Sequence, residues 1–120
     1  MKKELIDRTK KFALDCWTLC SKIPKSREYN AYVNQLLKSS SSVGANYRAS
    51  QRAKSTADFI NKLKIVEEET DESVYWLELF LEIVPNNKDE IKRLIGESKE
   101  LLAIFVASIN TAKRNQSKKN

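Results

Sequence analysis

Apolar and small residues recur along most of this chain in steps of three and four. In the first segment they are Leu5, Ile6, Thr9, Phe12, Ala13, Cys16, Leu19, Cys20 and Ile23. That spacing keeps one face of a helix toward a core. It predicts a helix from about Lys3 to Ser21, stopped at Ile23-Pro24 because the residue before proline disfavours α backbone. A second stripe, Tyr29, Val33, Leu36, Ser40, Val43, Tyr47 and Ser50, follows Ser26, which suits an N-cap, and Glu28 in the first turn. Ser55-Thr56-Ala57-Asp58 has the form of a capping box and opens a third helix that ends before Pro85. Asn87, with Glu90 three residues on, reads as another such start. The fourth helix then turns Ile91, Leu94, Ile95, Ser98, Leu101, Leu102, Phe105, Ile109 and Ala112 inward. Four long helices with short loops predict an all-α fold, an antiparallel up-down-up-down four-helix bundle. It spans residues 1–115, and 116–120 are expected to be a disordered basic tail.

Two features of the pattern exceed what a simple bundle needs. The second helix carries a small-residue patch, Ser40, Ser41, Gly44 and Ala45. Gly44 weakens a helix by about 1 kcal/mol relative to Ala, so it is expected to let a neighbouring backbone come close. The third helix has two apolar stripes. Ile60, Leu63, Val74, Leu77, Leu81 and Val84 form one, and Phe59, Val66, Trp76, Phe80 and Ile83 the other. So wide an apolar face predicts contact with another subunit as well as with the bundle. Phe59, Val66, Tyr75, Trp76 and Phe80 are the expected interface of a homo-oligomer.

Composition limits the chemistry. The 120 residues suffice for one core and include only two Gly and two Pro, a helical composition. No apolar run approaches the roughly 20 residues of a membrane span. Lys2-Lys3-Glu4 leads into an amphipathic segment, not a signal-peptide stretch. A cytoplasmic protein with no membrane association is expected. Cys16 and Cys20 lie one helical turn apart, where a disulfide would be strained, and read as buried apolar residues. There is no His, no Gly-rich phosphate loop and no activated nucleophile, so no enzyme, cofactor or metal site is expected. The acidic run Glu67-Glu68-Glu69-Thr70-Asp71-Glu72 lacks the Glu-x-x-His pairs of di-metal bundles and reads as a solvated, cation-partnered face.

Charge is the feature that points outward. The net charge is +6, but residues 1–64 hold 14 Lys and Arg against five Asp and Glu, whereas residues 65–120 hold eight against 11. Bundle topology gathers Lys2, Lys3, Arg8, Arg48, Arg52, Lys54, Lys62, Lys64, Lys113, Arg114, Lys118 and Lys119 at one end. Arg48, Arg52, Lys54, Lys62, Lys64, Lys113 and Arg114 are the candidate contacts to RNA or DNA, whose phosphates such cations neutralise. Tyr47 is a candidate to stack on an unpaired base, although it also fits the buried stripe. The alternative is a protein-interaction scaffold built on the acidic and aromatic third helix.

One stretch carries a resemblance. Gln35–Ile83, and within it Ser42-Val43-Gly44-Ala45-Asn46-Tyr47-Arg48-Ala49, Arg52-Ala53-Lys54-Ser55, Asp58–Ser73 and Tyr75–Phe80, resembles the four-helix-bundle proteins named for intervening sequences in 23S ribosomal RNA genes. The first and fourth helices match in pattern. The resemblance implies a bacterial bundle that assembles into a cyclic homopentamer. A related branch is the accessory protein of diversity-generating retroelements, a basic pentameric barrel that binds nucleic acid and works with a reverse transcriptase. Many members carry Glu soon after the Ala-Asn pair, where this chain has Ala49 and Ser50.

Overall fold

The computed structural model describes residues 2–119. They form four helices, α1 (Lys2–Ser21), α2 (Arg27–Ser50), α3 (Thr56–Ile83) and α4 (Lys88–Lys119), and among the described residues there is no strand. The ends follow local chemistry. Ser26 and Ser55 take extended backbone, and each side chain accepts from the backbone N–H three residues on, Tyr29 and Asp58, at 3.1 Å. These are the N-caps expected from the sequence. Val84, ahead of Pro85, is extended and closes α3 by donating its N–H to the Phe80 carbonyl at 2.9 Å.

Two ends differ from expectation. Asn87 has φ 64°, the left-handed region that Asn enters more readily than most residues. An N-cap has extended backbone, so the Asn87–Glu90 box is not the device that starts α4. Asn87 instead turns the chain after Pro85, and its carbonyl accepts from Ile91 N at 3.0 Å. The second difference is at the C-terminus. α4 continues through Gln116 to Lys119, so the residues expected to be a disordered tail are helical that far, and Asn120 lies outside the described residues. Ala112, Lys113, Arg114, Gln116 and Lys118 are good helix formers, and no Gly or Pro interrupts them.

The helices pack as a square. α1 touches α2 and α4, α3 touches α2 and α4, and the diagonal pairs α1–α3 and α2–α4 have no close backbone approach. Along each seam residue numbers rise on one helix as they fall on its neighbour. Thr9 meets Gly44 while Trp17 shares a groove with Leu37. Tyr29 Oη donates to the Ile83 carbonyl at 3.0 Å, and Ser39 Oγ lies 2.9 Å from Ser73 Oγ. The molecule is a rod of 53 × 22 × 20 Å. Its core runs from Leu5, Tyr47, Ile60 and Ile109 at one end to Ile23, Leu36, Val84 and Ile91 at the other, with Phe12, Phe80 and Phe105 fully buried between.

Gly44 lies at a close approach of α1 to α2. A Cβ there would stand 3.2 Å from Thr9 Oγ1 and 3.4 Å from Thr9 Cβ. Thr9 is fully buried, and its hydroxyl is satisfied within α1 by the carbonyls of Leu5 at 2.8 Å and Ile6 at 3.2 Å. The close approach expected of Gly44 is therefore present, with Thr9 as the group that fills it. The α1–α4 seam works differently. Its backbones approach least, and ion pairs span it: Arg8 with Glu97 and Glu100, Arg93 with Asp15, and Lys22 with Glu90.

The two glycines predict opposite outcomes. Gly44→Leu should destabilise by on the order of 1–3 kcal/mol through overpacking against Thr9. Gly44→Ala should be close to neutral, because gained helix propensity offsets a small displacement of Thr9. Gly96 lies exposed within α4, and a Cβ there would meet nothing within 4 Å. Gly96→Ala should stabilise by up to about 1 kcal/mol. Urea denaturation of the three variants measures all of this, and a Gly44→Leu protein as stable as the parent contradicts the tight-contact argument.

Candidate functional site

The turn between α2 and α3 is built without glycine. The last residues of α2 tighten as Gln51 N–H reaches the carbonyls of Tyr47 at 3.3 Å and Arg48 at 3.2 Å, and Arg52 N–H reaches Ala49 at 3.1 Å. This narrow winding ends the helix within one turn. It leaves Arg48, Arg52 and Lys54 exposed within seven residues of sequence. Lys54 borders a polar depression that extends past Ser55 and Thr56 to Phe59. Phe59 in turn lies against Thr111, Ala112 and Asn115, which brings the far end of α4, with exposed Lys113 and Arg114, to the same end of the rod.

Arg48, Arg52, Lys54, Lys64, Lys113 and Arg114 have no carboxylate within 4.0 Å among the described residues, and Arg114 donates to Thr111 Oγ1 at 3.3 Å. Lys62 differs. Its ammonium lies 2.7 Å from Asp58 Oδ2, the oxygen that also accepts from Lys54 N–H at 3.1 Å. The Lys62 hydrogen bond, then the Lys54 N–H, hold the Asp58 carboxyl below its usual pKa. Part of the Lys62 charge is thereby neutralised. Lys62 and Lys64 also point to different sides of α3, because two residues turn an α-helix by about 200°.

Several expected contributors are committed elsewhere. Arg8 forms a forked pair with Glu97, Nη2 to Oε1 at 2.7 Å and Nε to Oε2 at 3.1 Å, with Glu100 at 3.2 Å. Hydrogen bonding to Glu97 pushes its pKa further up. It joins α1 to α4 and is not free for a phosphate. Tyr47 is 5% exposed, with its ring centroid 5.7 Å from that of Phe105. It is a core residue and cannot stack on a base. Burial raises its phenol pKa.

The expected oligomer face needs a larger correction. Val66 and Phe80 are both 0% exposed inside the chain's own core, so neither lies on a free surface. A helix held at the corner of a square buries an arc wide enough for most of both apolar stripes, and of their residues only Ile83, at 43%, is exposed. Phe59 and Trp76 are half-buried, and only Tyr75, at 55%, stands out. Tyr75 and Tyr32 flank Trp76 with centroids 5.1 and 5.3 Å from it. Trp76 Nε1 is buried there without an acceptor among the described residues. Two apolar residues that face outward lay off every predicted stripe. Leu14 and Trp17 on α1 are 56% and 63% exposed, beside a groove with Leu37 and Ser41 of α2. Leu14 directly follows stripe residue Ala13 and Trp17 directly follows Cys16, and that was the available signal: a large apolar side chain on a polar face.

The acidic run of α3 divides. Glu68, Asp71 and Glu72 are exposed, and Glu67 and Glu69 are half-buried. Burial, then the neighbouring Glu72, raises the Glu69 pKa. Among the described residues no group of three potential ligands is arranged for a metal. Both cysteines are buried and free. Burial pushes the Cys20 thiol up to about 12 and Cys16 higher still. Among the described residues no helix is long and apolar enough to cross a membrane.

The chain is similar over residues 1–107 to the family model described as 23S rRNA-intervening sequence protein. Among solved structures it is similar to a protein of unknown function from the S23 ribosomal protein family of Bacteroides thetaiotaomicron, determined at 1.70 Å resolution. The two are 30% identical with a TM-score of 0.80, over 88% of this chain and 97% of that one. No curated protein matches. The four helices, the match over nearly the whole bundle and the 30% identity to a solved relative lead to one conclusion: the chain belongs to the family of 23S rRNA-intervening sequence proteins.

Proposed function

We propose that this protein is a non-enzymatic, up-down-up-down four-helix bundle that assembles into a cyclic homo-oligomer and holds RNA or DNA at its basic pole. The carrying observation is the set of exposed cations Arg48, Arg52 and Lys54, at the end of the rod reached by Lys113 and Arg114 and without carboxylate partners among the described residues. Unpaired cations at one end of an elongated protein release counterions when they meet phosphates. Such contacts read charge and spacing more than base identity.

The reading without catalysis is supported by the nucleophile inventory. The chain has no His, and the two thiols have pKa values far above neutrality, which keeps them protonated and unreactive. Opposed numbering along the seams supports the up-down order. Exposed Leu14, Trp17 and Tyr75 support assembly, since large apolar groups stay in water at a cost that a partner surface removes. The family resemblance suggests five subunits, with a reverse transcriptase as a possible protein partner. In a ring each pole is repeated, so weak phosphate contacts sum by avidity.

Two measurements test this. Light scattering after size exclusion should return several times the 13.8 kDa chain mass. A 13.8 kDa particle at micromolar concentration rejects the oligomer. Fluorescence anisotropy with single-stranded and duplex RNA and DNA should show affinity falling steeply with salt. Replacing Arg48, Arg52 and Lys54 by Gln should weaken binding, and each phosphate no longer neutralised should reduce the log–log salt slope by about 0.7–0.9. Lys25→Gln, Arg27→Gln and Lys92→Gln together remove the same charge from exposed positions at the other end of the rod. Equal weakening in both triple variants means that net charge and not the pole drives binding. No binding by the parent protein at low salt rejects the nucleic-acid role and favours a protein scaffold on α3.

A further inference from the structure

We propose that the subunits join head to tail, the groove between α1 and α2 of one copy receiving the exposed face of α3 of the next. This rests on the oligomer reading above and names its two surfaces.

The groove is apolar at one end, where Leu14, Trp17 and Leu37 line it, and continues through Ala13 and Ser41 to Gly44 and Arg48. Lys10 stands on its rim without a carboxylate partner among the described residues. The outer face of α3 has the complementary order. Glu68 and Glu72 are exposed and have no cation within 4.0 Å among the described residues, and Tyr75 is 55% exposed just beyond them. From Lys10 to Trp17 is seven residues, and from Glu68 to Tyr75 is seven residues, about 10 Å of helix on each side. Cation meets acid where aromatic meets aromatic.

The heights also agree. Trp17 shares its groove with Leu37, and the Ser39–Ser73 contact sets Leu37 level with Tyr75. Thr9 lies on Gly44, and the same α2–α3 register sets Gly44 level with the Glu68 turn. Trp17 and Tyr75 therefore share one level of the rod, and Lys10 and Glu68 another. The groove opens on the side of the square formed by α1 and α2, and the α3 face lies at the corner diagonal to α1, so the two surfaces point in different directions at less than 180°. Different surfaces at an angle to each other, matched at the same height, make a heterologous contact that propagates around an axis parallel to the rod and closes into a ring when the rotation divides a circle. Toward the basic pole the match ends. Arg48 of one copy would meet Lys64 of its neighbour, so the contact is confined to the Lys10–Trp17 and Glu68–Tyr75 stretches, and unpaired cations from adjacent copies accumulate beyond it.

A head-to-tail contact has a distinctive complementation behaviour. Trp17→Asp removes one surface and Tyr75→Asp the other, both at exposed positions. Each variant alone should run at the 13.8 kDa chain mass, with helical circular dichroism like the parent's. Mixed in equal amounts they should form a particle of twice that mass and nothing larger, because the intact groove of the Tyr75→Asp chain still receives the intact α3 of the Trp17→Asp chain. Lys10→Glu and Glu68→Lys should each reduce the assembled fraction, and the double charge exchange should restore it. The exchange decides the matter if either Asp variant loses helicity. Variants that keep the parent's mass overturn the proposed surfaces while the oligomer stands. Monomeric variants that do not complement, with no rescue by charge exchange, also overturn it. A parent protein of 13.8 kDa overturns the oligomer itself.

Discussion

The contact of Thr9 with Gly44 sets the arrangement of this bundle. α1 approaches α2 closely there, and Thr9 can sit there only because its hydroxyl is satisfied inside its own helix. A polar group buried without a partner would cost more than the close approach gains. With α1 pinned at that level, Phe12, Cys16 and Leu19 turn inward, and Leu14 and Trp17 are left outside. The same pin aligns Lys10 with the Gly44 end of the groove. Packing at one glycine thus determines which surfaces remain for other molecules.

The charges divide by task. On the α1–α4 seam they replace close backbone packing, and Arg8, Asp15, Lys22, Glu90, Arg93 and Glu97 are consumed in holding two helices together. Such part-exposed pairs contribute little individually, but they fix the alignment of a seam that apolar contact alone leaves loose. At the α2–α3 turn, cations are left without partners. On α3 the acids of the Glu68–Glu72 turn are left likewise. The protein carries both signs unpaired, at different levels and on different sides, which favours directed contacts over general stickiness.

Much of the fold was legible because its signals are local. Ser26, Ser55, Pro24 and Pro85 act on the residues beside them, so the ends of α1, α2 and α3 could be read directly. The core stripes could be read because helical periodicity is a property of one helix. What could not be read depends on neighbours. Val66 and Phe80 looked like surplus apolar surface until α2 and α4 both pressed on α3. Tyr47 beside Arg48 suited both a core and a nucleic-acid contact, and Phe105, 58 residues away, decided it. Arg8 counted as a free cation until α4 placed Glu97 beside it. Asn87 misled for a different reason: Asn serves both as an N-cap and as a left-handed turn residue, and the tight connection after Pro85 needed the second.

The buried cysteines have a further consequence. Cys16 is 0% exposed and Cys20 8%, on the inner face of α1 between the helices that flank it. A thiol-specific reagent cannot reach them while the bundle is closed, and the high thiol pKa values keep them slow to react even then. Alkylation therefore has to wait for α1 to move away from α2 and α4. Its rate, followed against pH and reagent concentration, reports the free energy of that local opening. The chain thus contains two native probes of the motion that would expose its core, at positions where no label has to be introduced.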